Sequence, residues 1–271
     1  MRVFAIKNEN RKNEISAYLF YYEKKKTFII ELLENSNELN VPWLLSPYAK
    51  NNIKTINSFW SKLWVSQRIV PIDRQNIGQI LKDNKLKKYD EFELLVLGHG
   101  RCCQDDYYIE EIDFDELPLY IKDRYDLRID DIAYLNKDRF LVVFKKGDVR
   151  LFELNKILNK HKKLESFLEI HKDQIALATI QVGGYSLYWN DNMEITSDEI
   201  YSSSKSTNLQ AEDLYSYIAL RTVNTAEACE ILNCTRQNIE YLISRGKLKP
   251  IKITDKGKLF LRKDIEKMSW E

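Results

Sequence analysis

The chain has 271 residues, 44% of them hydrophobic, and its 42 Lys and Arg residues almost balance its 41 Asp and Glu residues. This length suggests two or three domains, and the composition is ordinary for a soluble globular protein. No apolar run reaches the roughly 18 residues that cross a bilayer, and the charged first residues lack the apolar core of a secretory signal. We therefore expect a cytoplasmic protein with no membrane partner.

The cysteines and histidines do not form a pattern typical of a catalytic or metal site. The four cysteines contain no C-x-x-C pair, which disfavours a zinc knuckle, and they are too few for a disulfide framework. His99, Cys102 and Cys103 lie close together in "HGRCC", but this spacing supplies neither a supported nucleophile nor a second group of metal ligands. The chain also lacks a phosphate-binding Gly-rich loop, a Ser elbow and a zincin motif. We therefore expect no enzymatic activity, no metal and no cofactor.

Residues 1–122 are predicted to form a helical N-terminal domain that contains a β-hairpin. The runs "ISAYLFYY" and "TFIIELL" are rich in β-branched and aromatic residues and are separated by "EKKK", which is typical of a hairpin. Apolar residues then recur at helical spacing from Thr55 to Ile69. Asp73 can cap a further helix from Arg74 to about Asn84. The segment "YDEFELLVLGHG" is apolar enough to be buried as a helix or a strand, and a strongly acidic stretch follows it.

Residues 123–203 are predicted to form a small α+β domain. The alternating run "RFLVVFKK" is separated from "VRLFEL" by Gly147-Asp148, which indicates a hairpin. A helix from about Leu154 to Leu168 follows, and then a run typical of a strand with a turn at Gly183-Gly184. These segments resemble a widespread bacterial domain family of unknown function, which implies a fold but no activity. The Ser-rich run "SSSKSTN" is the best candidate for a linker to the last domain.

Residues 208–271 contain a dense series of helix and turn signals. Asn224 can cap a helix, and Glu227 three residues later can complete a capping box. Thr235 can cap the next helix, and Gly246 can end that helix in the left-handed conformation. The runs "LKPIKI" and "KLFL" flank "TDKG", whose Asp and Gly suit a turn, so we expect a hairpin after the two helices.

This C-terminal region has the charge and the motif order of a DNA-binding module. From Arg221 to Glu271 there are 11 Lys and Arg residues against 7 Asp and Glu residues, and basic charge is what a polyanion binder needs. On charge alone, a solvated surface is an alternative explanation. Two short helices joined by a tight turn form a helix-turn-helix. The segment "NTAEACEILNCTRQNIEYLISRGKLKPIKI", followed by "KLFLRKDIEKM", resembles the winged helix-turn-helix of excisionases and MerR regulators.

The resemblance covers roughly the last fifth of the chain. It implies that the second helix enters the major groove of double-stranded DNA and that the hairpin, as a wing, touches the backbone. The order of the three regions also resembles that of uncharacterised bacterial helix-turn-helix domain-containing proteins. The fold class expected for the whole chain is therefore multidomain α+β, with a winged helix-turn-helix as its third domain.

Helical geometry selects the side chains that would face DNA. At about 100° per residue, Ile239, Leu242 and Ile243 define the buried side of the second helix. Arg pairs well with guanine, and Gln and Asn pair well with adenine. Glu240 either accepts a hydrogen bond from cytosine or faces solvent. The candidate DNA-binding residues are Thr235, Arg236, Gln237, Asn238, Tyr241, Ser244, Lys252, Lys256 and Lys258.

These observations predict a DNA-binding protein that regulates transcription. One short recognition helix contacts only a few base pairs, so we also expect a homodimer, held by regions upstream of Leu209. The upstream domains would serve dimerisation, sensing of an unidentified effector or partner binding. The alternative is a protein-interaction adaptor, or a toxin–antitoxin component, that does not recognise a DNA sequence.

A second segment resembles the second helix in sequence, with seven of fourteen residues identical. "RQNIGQILKDNKLK", residues 74–87, aligns without a gap with "RQNIEYLISRGKLK", residues 236–249, and Asp73 then aligns with the capping Thr235. No wing signal follows residue 87, and the acidic residues beyond it would repel phosphates. We therefore favour a surface helix here, with a second nucleic-acid contact through Arg74, Gln75 and Asn76 as the alternative.

Overall fold

The computed structural model describes residues 1–136, 138–190, 193–206, 211–255 and 257–270. The chain folds into two compact units, Met1–Lys122 and Asp123–Glu271. The chain is of mixed α+β class, and its sheets are small and antiparallel. No helix in the described part of the chain is both long enough and apolar enough to cross a membrane.

The N-terminal unit is built on a five-stranded antiparallel sheet. Its strands are β1 (Arg2–Asn8), β2 (Glu14–Tyr22), β3 (Thr27–Leu32), β4 (Thr55–Ile56) and β5 (Tyr107–Ile112). They lie in the order β4-β3-β2-β1-β5. The helices are α1 (Ser46–Lys50), α2 (Ser58–Ser66), α3 (Ile77–Asp83), α4 (Glu91–Leu97) and α5 (Leu119–Asp126), the last of which contains the boundary between the two units.

The predicted hairpin is confirmed as β2 and β3, but the prediction of a mainly helical N-terminal domain is wrong. Strand β2 is internal, because it pairs with β1 on one side and with β3 on the other. Most side chains of these three strands are buried, so both faces of the sheet are covered. A hairpin with this much apolar surface needs additional strands and helices to cover it, and those strands decide the architecture of the unit.

The acidic stretch after α4 supplies the edge strand β5. Glu110 accepts a hydrogen bond from Lys7 Nζ at 2.8 Å, and Glu111 accepts two from the Arg2 guanidinium at 2.7 and 2.6 Å. Both basic residues, Arg2 and Lys7, lie on the neighbouring strand β1. The negative charges of β5 are therefore paired with positive charges of the strand next to it. Charged side chains on an edge strand also discourage pairing with another chain.

Helix α2 is shorter than predicted. Thr55 and Ile56 pair with β3 instead of starting the helix. Asn57 then caps α2, since its side chain accepts a hydrogen bond from Trp60 N at 3.1 Å. The helix buries Trp64 and Val65 in the core of the unit. Phe59 of the same apolar segment is 64% exposed, so the predicted stripe is buried only in part.

In the C-terminal unit, two small sheets precede the last module. The strands β6 (Ile129–Tyr134), β7 (Arg139–Phe144), β8 (Val149–Glu153) and β12 (Lys205–Ser206) form a sheet of order β12-β8-β7-β6. The strands β9 (Thr179–Ile180), β10 (Ser186–Asn190) and β11 (Met193–Thr196) form a sheet of order β11-β10-β9. The helices of this region are α6 (Lys162–Ile170) and α7 (Ser197–Ser203).

Two of the turns predicted for this region are confirmed. Strands β7 and β8 form the expected hairpin, with Gly147 in its turn at φ +94°. Gly183 and Gly184 also turn the chain, with φ of +83° and +82°. A Cβ atom on Gly184 would lie 2.2 Å from the carbonyl oxygen of Ile129, so the close approach of these two backbones requires glycine.

Two other sequence-based expectations need correction. The helix expected from about Leu154 to Leu168 begins only at Lys162, because residues 154–160 form two short 3-10 turns. The Ser-rich run is largely ordered structure: it ends α7 and forms β12. Ser204 accepts hydrogen bonds from the Arg150 guanidinium through Oγ and through its carbonyl oxygen, both at 2.9 Å, and this pairing holds the segment on the sheet. Thr207 and Asn208, the end of the run, lie outside the described residues.

The last module begins with α8 (Ala211–Arg221), and Leu209 lies outside the described residues. Then follow β13 (Thr222–Asn224), α9 (Thr225–Leu232), α10 (Arg236–Ser244), β14 (Lys252–Thr254), β15 (Gly257–Leu261) and α11 (Arg262–Lys267). The strands form a sheet of order β13-β15-β14. The two predicted helices and the hairpin are thus confirmed, and β13 adds a third strand. The buried hydrophobic residues that form the core of this module are Val223, Ala228, Ile239, Leu248, Phe260 and Ile265.

Candidate nucleic-acid interface

The first helix of the motif, α9, starts with the predicted capping box. The Asn224 side chain accepts hydrogen bonds from Ala226 N at 2.8 Å and Glu227 N at 3.1 Å. The Glu227 carboxylate accepts one in return from Asn224 N at 2.7 Å. Because these bonds satisfy amides that have no partner within the helix, they fix the residue at which α9 begins.

A tight turn then starts the second helix, α10. Asn233 ends α9 in the left-handed conformation with φ +48°, which Asn tolerates better than most residues. Thr235 caps α10, since its hydroxyl oxygen accepts a hydrogen bond from Asn238 N at 3.3 Å. Gly246 follows α10 at φ +69°, as the sequence predicted. The start, the end and therefore the length of α10 are set locally.

The packing of α10 determines which of its side chains face solvent. Ile239 is fully buried, and Leu242 and Ile243 pack against the same core from half-buried positions. Ala228 on α9 is also fully buried. These residues form the inner side that the helical spacing predicted, so the opposite side of α10 is free for a ligand.

The exposed side of α10 carries five of the predicted DNA-binding residues. Arg236, Gln237 and Asn238 are exposed on its first turn, and Tyr241 and Ser244 are exposed further along. The Ser244 hydroxyl donates to the Tyr241 carbonyl oxygen at 2.8 Å and still has acceptor capacity. The structure thus brings a guanidinium, two carboxamides, a phenol and a hydroxyl onto one surface, all of them able to hydrogen-bond base edges.

The wing is formed by β14 and β15, and its lysines have different surroundings. Lys252 is exposed on β14. Lys258 on β15 donates to Glu240 Oε1 of α10 at 2.6 Å. This ion pair connects the wing to the helix and gives the Glu240 carboxylate a partner within the protein. The pair is partly exposed and contributes about 1 kcal/mol or less to stability. Lys256 lies outside the described residues.

Residues 222–269 match the family model of a helix-turn-helix domain. The matched range runs from β13 through α11 and so includes both helices, the turn and the wing. It covers about a fifth of the chain, and nothing in the comparisons identifies the N-terminal part. No curated protein and no solved structure matches the chain. A domain of this kind suggests DNA binding.

The helix-turn-helix domain is held on the preceding sheet by a charged network that no sequence motif predicted. On β6, Asp130 accepts hydrogen bonds from Lys263, at 2.8 Å, and from Lys267, both on α11. Burial opposes the ionisation of Asp130, but the hydrogen bonds and charges of these two lysines lower the pKa of its carboxyl group overall. The only sequence signal was the pair of adjacent acidic residues in the otherwise apolar run "IDDIAY".

The neighbouring Asp131 binds the helix that leads into the domain. Its carboxylate is fully buried and accepts hydrogen bonds from Arg221 and, at 2.7 Å, from the Tyr217 hydroxyl. Burial and the nearby carboxylate raise the pKa of Tyr217, so this hydroxyl stays protonated as a donor. Arg221 also donates to Glu266 on α11 at 3.0 Å. One buried guanidinium therefore connects β6, α8 and α11.

The similar segment in the N-terminal unit has less support around it. Arg74, Gln75 and Asn76 are exposed together, and the Arg74 guanidinium donates to Asn76 Oδ1 at 3.0 Å. Helix α3 starts at Ile77, not at Arg74 as predicted, and it has no buried residue. Asp73 is therefore too far from the first turn to cap it. The next helix is α4, and no wing hairpin follows in this described part of the chain.

Within the described residues, no group of three His, Cys, Asp or Glu side chains is arranged to hold a metal ion. Cys102 of the "HGRCC" run instead accepts a hydrogen bond from the Arg68 guanidinium at 3.0 Å. Burial lowers the pKa of Arg68, while its contacts with Asp105 and Cys102 oppose that effect. The local role visible in this cluster is to satisfy a buried guanidinium.

Proposed function

We propose that this protein binds double-stranded DNA sequence-specifically through its helix-turn-helix domain and regulates transcription. The observation that carries the proposal is the exposure of Arg236, Gln237 and Asn238 on the first turn of α10, next to the fully buried Ile239. A recognition helix contacts bases mainly through its N-terminal residues. The buried isoleucine fixes the rotation of α10, so these polar side chains cannot turn inward.

Each candidate residue has a distinct role in this proposal. Arg236 would donate two hydrogen bonds to guanine, and Gln237 and Asn238 would pair with adenine. Tyr241 and Ser244 would contact bases or sugars further along the groove. Thr235 would act mainly by starting the helix, because its hydroxyl oxygen already accepts from Asn238 N. On the wing, Lys252 would contact phosphates, and Lys258 would both hold the wing against Glu240 and add positive charge. Lys256, which lies outside the described residues, is proposed as a phosphate contact from the sequence alone.

The resemblance to excisionases and MerR regulators supports a wing that touches the DNA backbone. One helix of nine residues contacts too few base pairs for useful specificity. We therefore propose that the protein works as a homodimer on two half-sites. In this proposal the two upstream regions sense an effector or bind a partner.

The experiment that tests the function is a salt titration of binding. The full chain is incubated with genomic DNA fragments, and the bound fragments are sequenced at several salt concentrations. A DNA-binding protein should select a common sequence, and its affinity should fall steeply with salt because counterions are released from phosphates. Binding that lacks sequence preference, or an absence of binding at low salt, would instead favour the alternative of a protein-interaction adaptor.

A further inference from the structure

Helix α8, which leads into the helix-turn-helix domain, has the reverse of the usual polarity. Its inner side consists of polar and charged residues, Asp213, Tyr217 and Arg221, which recur every four positions. Asp213 and Arg221 are buried, with ion-pair partners Arg139 and Asp131 on the neighbouring sheet. An ordinary surface helix buries an apolar stripe and exposes its charges. The polar side of α8 thus packs against the sheet, and its apolar side faces solvent.

That outer side is a continuous apolar stripe. Leu214, Tyr215 and Ile218 are 47%, 68% and 49% exposed, and Ala219 is exposed beside them. At 100° per residue these four side chains lie within one arc of about 140°, whose centre is about 130° from the centre of the charged side. Single exposed hydrophobic residues are common, but a contiguous stripe marks an interaction surface. We call Leu214, Tyr215, Ile218 and Ala219 the α8 stripe.

We propose that the α8 stripe binds the α8 stripe of a second copy of this chain. A two-fold contact brings the same patch of both subunits together, so the patch must tolerate its own copy. The four side chains of the stripe are uncharged, so none of them repels its own copy, and the side chain of Glu212, the third charged residue of α8, lies outside the described part of the chain. The charged residues of α8 whose side chains are described, Asp213 and Arg221, are already paired on the opposite side.

The size of the stripe defines what kind of dimer it can form. Side chains of this size and exposure present roughly 300–400 Å² of apolar surface per copy. Two copies would bury roughly 600–800 Å² in total, about half of a standard stable interface. The contact is therefore weak in free solution, and it becomes effective when two copies bind adjacent half-sites, because DNA raises their local concentration.

The position of α8 suits this role. Arg221 ends α8, and the next residue, Thr222, begins β13 of the helix-turn-helix domain. The Arg221 guanidinium also binds Glu266 on α11 at 3.0 Å. Pairing of two α8 helices would therefore set the spacing of two recognition helices. This part of the inference rests on the proposed function, and it places the dimer contact at α8 rather than upstream of Leu209.

The test compares two matched variants of the full chain. Ile218→Asp places a charge in the stripe, whereas Leu220→Asp changes an equally exposed residue, 50% against 49%, on the other side of the same helix. Sedimentation equilibrium over a wide range of protein concentration measures association without DNA. A second measurement on a DNA fragment with two copies of the selected half-site gives the cooperativity of binding. Circular dichroism shows whether each variant is folded.

We expect the unchanged protein and Leu220→Asp to self-associate weakly and to bind the two half-sites cooperatively. Folded Ile218→Asp should lose at least tenfold in self-association and bind the half-sites independently. The inference is overturned if the unchanged protein stays monomeric at all concentrations and binds DNA without cooperativity, or if Ile218→Asp associates as well as Leu220→Asp. If no variant bound DNA, the proposed function would be wrong. Sedimentation without DNA would still show whether the α8 stripes associate.

Discussion

In α10 the isoleucine of the sequence Arg-Gln-Asn-Ile is fully buried, whereas the matching Ile77 at the start of α3 is only half-buried. Thr235 caps α10 with its side chain, but the aligned Asp73 lies three residues before the N-cap of α3. A wing follows α10, and α4 follows α3. The shared residues thus produce the same exposed polar side chains in both places, and only the C-terminal segment anchors them on a fixed helix.

A pair of triple variants should give the largest difference between the two segments. Changing Arg236, Gln237 and Asn238 to Ala should weaken binding to the selected site by more than about 100-fold, since each base contact contributes about 1–3 kcal/mol. The same change at residues 74–76 should alter affinity by at most about threefold, or about 0.65 kcal/mol. Fluorescence anisotropy with specific and random DNA measures both effects.

Both proteins should be compared at equal thermal stability, so that a folding defect is not mistaken for a lost contact. A large, sequence-selective loss from the 74–76 variant would show two DNA-contacting segments in one chain. This result would contradict our explanation that only the C-terminal segment contacts DNA because only α10 is anchored by a buried residue.

The second comparison concerns the two isoleucines themselves. Ile239→Ala should destabilise the helix-turn-helix domain by about 2–5 kcal/mol, because it opens a cavity at a fully buried position. Ile77→Ala removes only half-buried surface and should cost about 1 kcal/mol or less. Hydrogen exchange of the amides in α9 and α10, and in α3, measures the stability of each segment separately. Similar losses of protection in the two segments would mean that α3 is anchored as firmly as α10.

The same contrast explains how far the sequence could predict the structure. The capping box, the Thr235 cap, the tight turn between the two helices and the glycine after α10 depend on local contacts, and all four were predictable. The N-terminal sheet depends on pairings between residues far apart in the chain, such as Arg2 with Glu111. The sequence of its edge strand β5 is typical of an acidic loop, because the basic residues that pair with it lie about a hundred positions away in the chain.

Part of the candidate site was also hidden for this reason. Helical spacing alone identified the exposed residues of α10. The pairing of Lys258 with Glu240 could not be predicted, since it depends on how the wing lies against the helix. The charged contacts of Asp130 and Asp131 with α8 and α11 likewise join segments more than 80 residues apart. The sequence of a strand that contains two carboxylates does not show which basic residues will pair with them.

A third experiment separates base contacts from phosphate contacts within the helix-turn-helix domain. Arg236→Ala should cost about 1–3 kcal/mol at the selected site and relax its sequence preference. Lys252→Ala should weaken specific and random DNA by a similar factor and lower the slope of log affinity against log salt by about 1. Anisotropy titrations on both DNAs at three salt concentrations measure these quantities. If Arg236→Ala kept full affinity and preference, α10 would not be the helix that contacts the bases.

The smallest expected effect is the most specific test of the comparison, because it removes a single hydroxyl. Thr235→Ala should destabilise the start of α10 by about 1 kcal/mol, since Asn238 N loses its acceptor. Thr235→Ser keeps the oxygen and should restore most of that stability. The aligned change Asp73→Ala should stay within about 0.5 kcal/mol of the unchanged protein, as expected for an exposed residue that caps no helix. Exchange rates of the first α10 and α3 amides report each start directly. A loss at α3 as large as that at α10 would show that Asp73 caps its helix in solution, and the two segments would then differ in their surroundings but not in their starts.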